Sequence, residues 1–584
     1  MEIPRPEHPR PDFQRSNWLN LNGPWQFEID QACSGAERGF TSGREFSKEI
    51  IVPFPPESRL SGIHELDFMR SVWYRRRVRL SGSRNAGRCL LRFSAVDYEA
   101  DVWVNGHQVG HHKGGYTPFA FDITEVIDNE DEAEIVVHAL DDNRTGLQPC
   151  GKQSTRYESW GCHYTRVTGI WQTVWIEEVP KTYINHFRII SNAGTDHARL
   201  EVEFAGNVAG GQIHAFALAD GKEVASSQGP ATFPSTSLRL EIPGPRTWNP
   251  EDPQLYGLRL ELELHDGEKD VVQSHFGIRT VGIRGDRIFL NGEQRFLRMV
   301  LDQGYYPDGI YTALSDEALR RDIKISKEMG FDGARLHQKV FEPRFLYWCD
   351  VLGYLVAGEY GDWGADLGNS TAREVIISEW PAVVRRDLNH PSLILWTPLN
   401  ERAFEEGDAV VPGFLRQMAE LTHALDPTRP VIDTSGYIHV QSDIHDVHDY
   451  EQDPKEFGAH FDKFGKTGSY SDLQQHYKEQ GDPYRGQPFM VSEYGGTWWS
   501  PDAQEDETRW GYGNRPGSRS EFIERYRALT GVLLSNPRVS GLAYTQLYDV
   551  EQEVNGLYTY DRKAKFETGV IREINRRRAA VEGE

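Results

Sequence analysis

From residue 282 onward, short apolar runs alternate with amphipathic helical segments, and this alternation limits the possible folds more than any other feature of the chain. Apolar runs typical of buried strands lie at 296–301, 331–336, 354–358, 393–398, 430–433, 443–447, 488–492 and 541–546. Helical periodicity occurs between them at 316–329, 343–352, 372–388, 411–425 and 520–534. Strands that alternate with helices in this way predict a C-terminal (β/α)8 TIM barrel over residues 281–584. Residues 450–487 show no regular period, so strands six and seven rest on their apolar runs alone.

The residues before the barrel have a different pattern, in which short alternating runs are separated by Gly, Asn and Asp. Such runs lie at 75–80, 89–93, 100–104, 119–123, 134–140 and 173–177. Together with the hairpin signal Asn105-Gly106, they predict an N-terminal β jelly roll over residues 1–180. A second block has strand-like runs at 197–204, 212–218, 237–242 and 256–264. Its length predicts an immunoglobulin-like β-sandwich over residues 181–280.

Charge and cysteine content exclude several classes of function. The chain has 64 Lys and Arg against 88 Asp and Glu, a formal net charge of −24, which disfavours nucleic acid and anionic membranes as partners. No apolar run approaches the roughly 18 residues that a membrane helix needs. The five cysteines are scattered and form no C-x-x-C pair, so neither a disulfide framework nor a zinc site is predicted. The N-terminus lacks the apolar core of a signal peptide, and the cytoplasm is therefore the expected location.

Two glutamates fall at the C-terminal ends of predicted barrel strands, which is where such barrels carry their chemistry. Glu401 ends the run 393–401, and Glu493 ends the run 488–493. Either one alone could be an ordinary loop or capping residue. A pair suits glycoside hydrolysis, in which one carboxyl protonates the leaving oxygen and the other attacks the anomeric carbon or activates water. A separation of roughly 5–5.5 Å would imply retention of configuration, and roughly 6.5–9.5 Å would imply inversion.

The segments 396–401 (WTPLNE) and 491–495 (VSEYG) resemble the acid/base and nucleophile motifs of glycoside hydrolase family 2, which includes β-galactosidases, β-glucuronidases and β-mannosidases. Further segments resemble the family in the family's order, at 102–106 (VWVNG), 114–119 (GGYTPF), 169–172 (GIWQ), 276–279 (FGIR) and 290–292 (LNG). The resemblance covers nearly the whole chain. It implies that Glu401 is the general acid/base, that Glu493 is the nucleophile, and that Asn400 donates to the sugar 2-OH.

Five polar residues at or after strand ends are candidate sugar contacts. Glu359 matches a position where the family has an acidic residue near the sugar, with a barrel-mouth ion pair as the alternative. Asp302 and His337 follow the first two strands, where loop or capping roles are the alternative. His448 and Tyr450 follow the sixth strand, and one of them is expected to contact the sugar.

Aromatic residues are abundant, with 15 Trp, 25 Tyr and 27 Phe, and aromatic rings can stack on the apolar faces of sugars. Trp498, in the loop after Glu493, is the best candidate for such a platform. Tyr544 and Gln546 lie at the end of the eighth strand, where many family members have a Trp at the position of Tyr544. Core packing is the alternative for each aromatic residue.

Departures from the family bear on the sugar. The β-glucuronidases carry an Asn-x-Lys that binds the sugar carboxylate, whereas the nearest equivalent here, 555–557 (NGL), has no Lys and disfavours a uronic acid. The ligand pattern of the divalent ion in β-galactosidases is not retained beyond Glu359, and no metal or other cofactor is predicted.

We therefore expect a retaining exo-β-glycosidase that acts on a glycoside or oligosaccharide, with a β-galactoside as the first substrate to test. One alternative is an exo-β-glycosidase for another sugar, such as a β-galactofuranoside, β-glucuronide, β-mannoside or β-glucoside. The alternative of another class is a non-catalytic carbohydrate-binding protein on a degenerate barrel, which the presence of both glutamates disfavours. The oligomeric state is left open, with a homo-oligomer among the expectations.

Overall fold

The computed structural model of the chain describes residues 3–80, 87–127, 132–405, 407–436, 438–467, 481–500 and 509–583, without the side chains of 463 and 465. The first domain is a β-sandwich. Its strands are β1 Trp18–Asn20, β2 Gly23–Ile29, β3 Lys48–Val52, β4 Ser71–Arg79, β5 Arg88–Phe93, β6 Val96–Asp97, β7 Glu99–Val104, β8 His107–Lys113, β9 Phe119–Asp122, β10 Glu132–Leu140, β11 Gly169–Ile170 and β12 Val174–Val179. A six-stranded sheet (β3-β2-β4-β10-β7-β8) and a four-stranded sheet (β1-β12-β5-β9) share one apolar core. The predicted jelly-roll domain is confirmed.

The predicted hairpin at Asn105-Gly106 joins β7 to β8. Both residues have positive φ angles, 50° and 79°, as a two-residue type I′ turn requires. Asn105 also fixes the turn with its side chain, because its Oδ1 accepts from the Glu134 amide at 2.8 Å and its Nδ2 donates to the Val126 carbonyl at 2.9 Å.

The second domain is an immunoglobulin-like sandwich of two antiparallel sheets, β13-β14-β17 and β16-β15-β18-β19. Its strands are β13 Tyr183–Ser191, β14 His197–Ala205, β15 Gln212–Ala219, β16 Lys222–Pro230, β17 Ser235–Glu241, β18 Tyr256–Glu263 and β19 Lys269–Phe276. Buried and half-buried residues alternate along β18, since successive side chains of a strand point to opposite faces of the sheet. This alternation is the pattern from which the sequence predicts the domain.

The third domain is the predicted TIM barrel. Its parallel sheet has the order β26-β25-β24-β23-β29-β28-β27. The strands are β23 Leu297–Asp302, β24 Gly333–Leu336, β25 Leu355–Glu359, β26 Leu393–Thr397, β27 His445–Asp449, β28 Phe489–Gly495 and β29 Val539–Thr545. A small sheet of β20 Val281–Arg284, β21 Arg287–Leu290 and β22 Glu293–Gln294 precedes them. Residues Ile288 and Leu290 of this small sheet share an apolar cluster with Leu297 and Met299 of β23.

The fifth barrel strand, predicted at 430–433, is shorter than expected. Val431 and Ser435 form isolated parallel bridges with Trp396 and Asn400, so the segment lies beside β26 in the fifth position. The chain then turns, because the Asp433 carboxylate accepts the backbone amides of 440 and 441 at 2.7 and 2.8 Å. Side-chain bonds therefore replace part of the sheet pairing expected at this position.

Seven helices of the described residues pack around the barrel, α1 Asp316–Glu328, α2 Pro343–Leu352, α3 Ser370–Asp387, α4 Val410–Leu425, α5 Pro454–Thr467, α6 Arg519–Ser535 and α7 Thr568–Asn575. Ser315 and Ser518 cap α1 and α6 by accepting backbone amides. Helix α5 lies in the segment without a regular period and was not predicted, and neither was α7. Within the described ranges, none of the helices has the length and apolar character to cross a membrane.

Candidate active site

The two glutamates lie side by side at the C-terminal end of the barrel. Glu401 follows β26 with a φ angle of 49°, and its amide donates to the Ser435 carbonyl at 2.8 Å. Glu493 lies within β28 and is 4% exposed. One carboxylate oxygen of each glutamate and one ring nitrogen of His448 all lie within 4.8 Å of one another. The two side chains therefore meet at one place at the end of the barrel, and this short separation fits the spacing of retaining enzymes rather than the wider spacing of inverting ones.

A buried arginine, Arg335 on β24, connects the side chains of three other strand ends. Its Nη1 donates to Glu493 Oε1 at 2.6 Å, its Nε to Glu359 Oε2 at 2.7 Å and its Nη2 to Asn400 Oδ1 at 2.5 Å. Burial acts to lower the pKa of Arg335, but Glu359 and Glu493 outweigh it and raise the pKa, so the guanidinium stays charged. Sequence reasoning missed this residue, although a lone Arg inside the apolar run 331–336 was a usable signal.

Glu493 is held ionised by its neighbours. Arg335 donates to one carboxylate oxygen, and the hydroxyl of Tyr450 donates to the other at 2.5 Å. Burial acts to raise the pKa of Glu493, but the positive charges of His448 and Arg335 outweigh it and lower the pKa. Tyr450 is itself fixed by stacking on Tyr512, with ring centroids 3.5 Å apart. This is the environment that a carboxylate nucleophile needs.

Glu401 shares a short hydrogen bond with a histidine. The distance from His448 Nδ1 to Glu401 Oε1 is 2.6 Å, and His448 Nε2 lies 3.4 Å from Glu493 Oε1. Burial acts to lower the pKa of His448, but Glu493 and Glu401 outweigh it and raise the pKa. Burial acts to raise the pKa of Glu401, and His448 outweighs it and lowers the pKa. In the free protein the pair therefore holds one proton, on the histidine side of the hydrogen bond.

Asn400 precedes Glu401 and is fully buried. Its amide donates to Asp362 Oδ1 at 3.1 Å, and its side-chain oxygen accepts from Arg335. Its Nδ2 has no hydrogen-bond partner among the described residues. Trp363 donates from its indole nitrogen to the Asn400 carbonyl at 3.1 Å, which further fixes the loop that carries the acid/base candidate.

Glu359 and His337 lie beside the pair. Glu359 accepts from Arg335 and from the Gln338 amide at 3.0 Å, and burial raises its pKa. His337 Nδ1 lies 3.0 Å from Glu359 Oε1 and 3.9 Å from Glu493 Oε1. Burial lowers the pKa of His337 well below its ordinary value, so this ring is neutral. The structure thus brings seven of the predicted site residues together, Glu359, His337, Asn400, Glu401, His448, Tyr450 and Glu493.

Asp302 and Tyr544 lie outside this cluster. Asp302 accepts from the Tyr548 hydroxyl and, at 2.9 Å, from the Gly304 amide, which is a loop-fixing role. Tyr544 packs on Tyr526 of α6, with ring centroids 4.8 Å apart, and so faces the outer helices. Because neighbouring strand residues point to opposite faces, it is Thr545 that reaches Tyr450, at 3.1 Å between the hydroxyl oxygens.

Trp498 and Gln546 lie in the loops around the cavity. The half-buried ring of Trp498 is covered by the guanidinium of Arg515 at 4.7 Å, and its described contacts do not include Glu401 or Glu493. Gln546 is buried and donates from Nε2 to Asn555 Oδ1 at 2.8 Å. Its Oε1 has no hydrogen-bond partner among the described residues.

Glu401, His448 and Glu493 also offer three possible metal ligands within 4.8 Å. The positive guanidinium of Arg335 lies only 2.6 Å from Glu493, and a cation held by that carboxylate would meet it. This donor set therefore suits proton transfer better than metal binding. A second set of possible ligands, His275, Asp350 and His390, lies where the second domain meets the barrel. Asp350 Oδ2 lies 2.8 Å from His275 Nε2 and 2.5 Å from His390 Nδ1, so hydrogen bonds already join these three side chains.

Comparison with known proteins identifies the family of the chain. The models of glycosyl hydrolases family 2 match successive parts of the chain: the sugar binding domain at 65–178, the central domain at 166–279 and the TIM barrel domain at 281–526. The β-galactosidase of Thermoanaerobacter pseudethanolicus is 27% identical over 458 residues, which cover 74% of this chain and 56% of that protein. The β-glucuronidase of Paenibacillus borealis is 26% identical over 444 residues, which cover 70% of this chain and 72% of that protein.

The chain spans about half the length of the first curated relatives that it matches. The solved structure of a Lactobacillus rhamnosus β-glucuronidase has a TM-score of 0.80 to this one at 19% identity, covering 98% of this chain and 99% of that chain. A likeness at this identity shows the fold. Since three models of one family match successive domains from residue 65 to residue 526, the chain belongs to glycosyl hydrolases family 2.

Proposed function

We propose that the chain is a retaining exo-β-glycosidase that removes terminal non-reducing β-linked sugars, with a β-galactoside as the first substrate to test. The observation that carries the proposal is the pairing of Glu401 and Glu493 at the end of the barrel, with one oxygen of each carboxylate within 4.8 Å of the other. The different surroundings of the two carboxylates support different roles. Glu493 is held ionised by Arg335 and Tyr450, whereas Glu401 shares a proton with His448.

In the first step, a carboxylate oxygen of Glu493 attacks the anomeric carbon while the bond from that carbon to the glycosidic oxygen breaks. Glu401 gives its proton to the departing oxygen, and the proton held by His448 can reach Glu401 along their 2.6 Å hydrogen bond. The products are the free aglycone alcohol and a covalent glycosyl ester on Glu493. The unpaired Nδ2 of Asn400 is the donor that we assign to the sugar 2-OH, a hydrogen bond that strengthens in the transition state.

In the second step, a water molecule attacks the anomeric carbon and the ester bond to Glu493 breaks. Glu401 takes the proton from that water and is ready for the next cycle. Arg335 then again meets a free carboxylate, so its positive charge stabilises the leaving group of this step. Two inversions at one carbon give net retention.

The first domain supports action at chain ends, because its segment 150–163 is bonded to loops at the C-terminal end of the barrel and forms a wall beside them. The backbone of 150–151 donates to the carbonyl oxygens of Trp363 and Gly361 at 2.7 and 3.1 Å. Farther along, Gln552 of the barrel donates to the carbonyl oxygens of Gly161 and His163 at 2.7 and 3.0 Å. A wall at this position favours a pocket over an open cleft.

The test is a panel of 4-nitrophenyl β-glycosides, with galactopyranoside, galactofuranoside, glucuronide, mannoside and glucoside among the sugars. The wild-type protein should release nitrophenol from at least one of them, and Glu493→Ala should lower kcat by about 10⁴-fold or more. Proton NMR of early product should show the β-anomer first. The absence of turnover on the whole panel, combined with sugar binding, would favour the non-catalytic alternative.

Other parts of the proposal concern the chain as a whole. We propose domain boundaries near residues 180 and 280, which fall between β12 and β13 and between β19 and β20. We propose a cytoplasmic location, and the five free cysteines are compatible with a reducing compartment. Cell fractionation tests the location, and light scattering tests whether the chain forms a homo-oligomer.

A further inference from the structure

A lysine of the first domain, Lys152, lies against Trp363, the barrel residue whose indole donates to the Asn400 carbonyl beside Glu401. The backbone on both sides of it is fixed, since the Cys150 amide donates to the Trp363 carbonyl at 2.7 Å and the Tyr164 amide donates to the Lys152 carbonyl at 2.7 Å. Gly151 has a φ angle of 56° and passes so close to Gln338 that a Cβ would lie 2.1 Å from its carbonyl oxygen. The segment therefore approaches the barrel as closely as a backbone can.

The ammonium of Lys152 lies near several acidic groups but forms no ion pair with a carboxylate of the described residues. The side chain is 6% exposed, and its Nζ lies 4.0 Å from the ring centre of Trp363, the residue that holds the Asn400 carbonyl. Burial acts to lower the pKa of Lys152, but Cys162, Glu553, Glu493 and Glu401 outweigh it and raise the pKa. Its near neighbour Cys162 is a thiol whose pKa is raised by burial, so this neighbour carries no charge that would satisfy the ammonium. A buried ammonium whose donors lack a carboxylate partner is suited to a ligand oxygen.

Glu553, in the loop after β29, is the nearby carboxylate that the catalytic steps do not use. It is 2% exposed; the hydroxyl of Tyr164 donates to its Oε2, and Asn555 Nδ2 donates to its Oε1 at 2.9 Å. Asn555 in turn accepts from Gln546, whose Oε1 lacks a partner among the described residues. Burial raises the pKa of Glu553, and Lys152, Tyr164 and Asn555 act against that rise. The two hydrogen bonds fix the carboxyl group in place on the barrel side of Lys152.

The signs of the charges decide which sugars this arrangement accepts. The pocket carries four carboxylates, Glu359, Glu401, Glu493 and Glu553, against the cations Arg335 and Lys152 and the shared proton of His448. A sugar with its own carboxylate would add a negative charge to a buried site that already has an excess of them. A neutral sugar adds none, and its hydroxyl oxygens accept from an ammonium.

We propose that Lys152 donates a hydrogen bond to a hydroxyl of the bound sugar, and that Glu553 beside it makes the site select neutral sugars over anionic ones. This proposal rests on the proposed glycosidase function and adds the residues that determine its substrate class. Both residues act across a domain boundary, one from the jelly roll and one from the barrel. Lys152 contacts the substrate, whereas Glu553 acts through its charge.

The test compares kcat/KM of the wild type, Lys152→Met and Glu553→Gln on nitrophenyl β-glycosides of neutral sugars and of glucuronic acid. The wild type should favour its best neutral substrate over the glucuronide by about 100-fold or more. Lys152→Met should lower kcat/KM on that neutral substrate by about 10- to 100-fold, the range for a hydrogen bond from a charged donor. With one of the deoxy analogues of the same sugar, the loss should shrink to about twofold.

Glu553→Gln should raise the ratio of glucuronide to neutral turnover by about 10-fold or more, which a purely structural role would not do. Lys222→Met, on an exposed strand residue of the second domain, is the matched control and should change nothing. The melting temperature of each variant shows whether it has folded. A wild type that prefers glucuronide, a loss below about threefold in Lys152→Met, or an unchanged ratio in Glu553→Gln would each overturn the proposal.

The proposal stays testable if the wild type hydrolyses none of the panel. In that case the proposed activity fails, and binding is measured instead by the thermal shift that galactose, glucose, mannose and glucuronic acid produce. The neutral sugars should stabilise the wild type and not Lys152→Met, and glucuronic acid should stabilise neither. Equal shifts in the two proteins, or a shift with glucuronic acid alone, would contradict the assignment of Lys152.

Discussion

The Nδ1 of His448 lies 2.6 Å from Oε1 of Glu401, so the acid/base candidate and a histidine of the next strand but one share a proton. The opposite ring nitrogen lies 3.4 Å from Glu493, so the charges of both candidate carboxylates act on the pKa of this imidazole. In the proposed mechanism Glu493 becomes a neutral ester, and one of the charges that raise the pKa of His448 is then lost. The pair is thus coupled to the progress of the reaction.

Replacing His448 with Gln should move the alkaline limb of the pH profile of kcat/KM to lower pH. The raised pKa of His448 lets the pair keep its proton above the ordinary range of a carboxyl group. Without the imidazole, Glu401 alone holds the proton, and a carboxyl loses it at lower pH. The rate at the optimum should fall by about 10- to 100-fold. An alkaline limb that stays in place would show that the proton resides elsewhere.

Replacing Arg335 with Met should lower kcat by about 10²- to 10³-fold, because both catalytic steps lose a positive charge beside Glu493. Burial acts to raise the pKa of Glu493, and without Arg335 fewer positive charges would oppose this effect. The pKa of Glu493 should therefore rise, and the acid limb of the pH profile of kcat should move to higher pH. Steady-state kinetics between pH 4 and pH 9 measure both effects. Arg199→Met, on an exposed strand of the second domain, is the control. An unchanged acid limb would contradict the role assigned to Arg335.

Replacing Asn400 with Ala should cost about 10²-fold in kcat/KM on a substrate with a 2-OH, and much less on the 2-deoxy analogue. The reason is the free Nδ2 of Asn400, which is the assigned donor to that hydroxyl. The four combinations of two proteins and two substrates form a double-mutant cycle. Equal losses on both substrates would mean that Asn400 acts only through Arg335.

Replacing His390 with Gln should destabilise the barrel by about 3 kcal/mol, because the buried Asp350 carboxylate loses a charged partner. Burial acts to lower the pKa of His390, but Asp350 outweighs it and raises the pKa. The contribution of the charged His390 ring to the free energy of unfolding is therefore complete below the ordinary pKa of histidine. This contribution is lost as the pH rises through the raised pKa of His390.

Calorimetric melting of His390→Gln should accordingly show a larger deficit at pH 5.5 than at pH 9. His265→Gln, on an exposed turn of the second domain, is the control. The same deficit at both pH values would mean that the ring contributes through packing rather than charge.

The strand ends of the barrel could be predicted from the sequence because apolar runs that end in a polar residue are local features. Glu401 and Glu493 were found in this way, and both lie where the runs predict. It is harder to predict which residues of a strand point into the barrel. The sequence predicts Tyr544 as a sugar contact, but Thr545 is the residue that reaches Tyr450, because a shift of one position along a strand exchanges its two faces.

Contacts between distant segments could not be predicted from one sequence. Nothing local distinguishes Lys152 from the other lysines of the chain, and its place depends on a backbone bond to Trp363 in another domain. Arg335 was missed for a related reason, since its three acceptors belong to three different strands. Helix α5 was missed because its 14 residues lie in a stretch of mixed composition.

The close approach of Gly151 to the Gln338 carbonyl has a consequence for truncated forms of the protein. A barrel excised at residue 281 would lose Lys152 beside Trp363 and also the buried rings of Tyr116, Tyr164 and Trp171, which belong to its hydrophobic core, so the truncation should cost both selectivity and stability. A change of substrate specificity would therefore require substitutions in both the jelly roll and the barrel. The jelly roll thus contributes to the proposed active site in addition to the barrel.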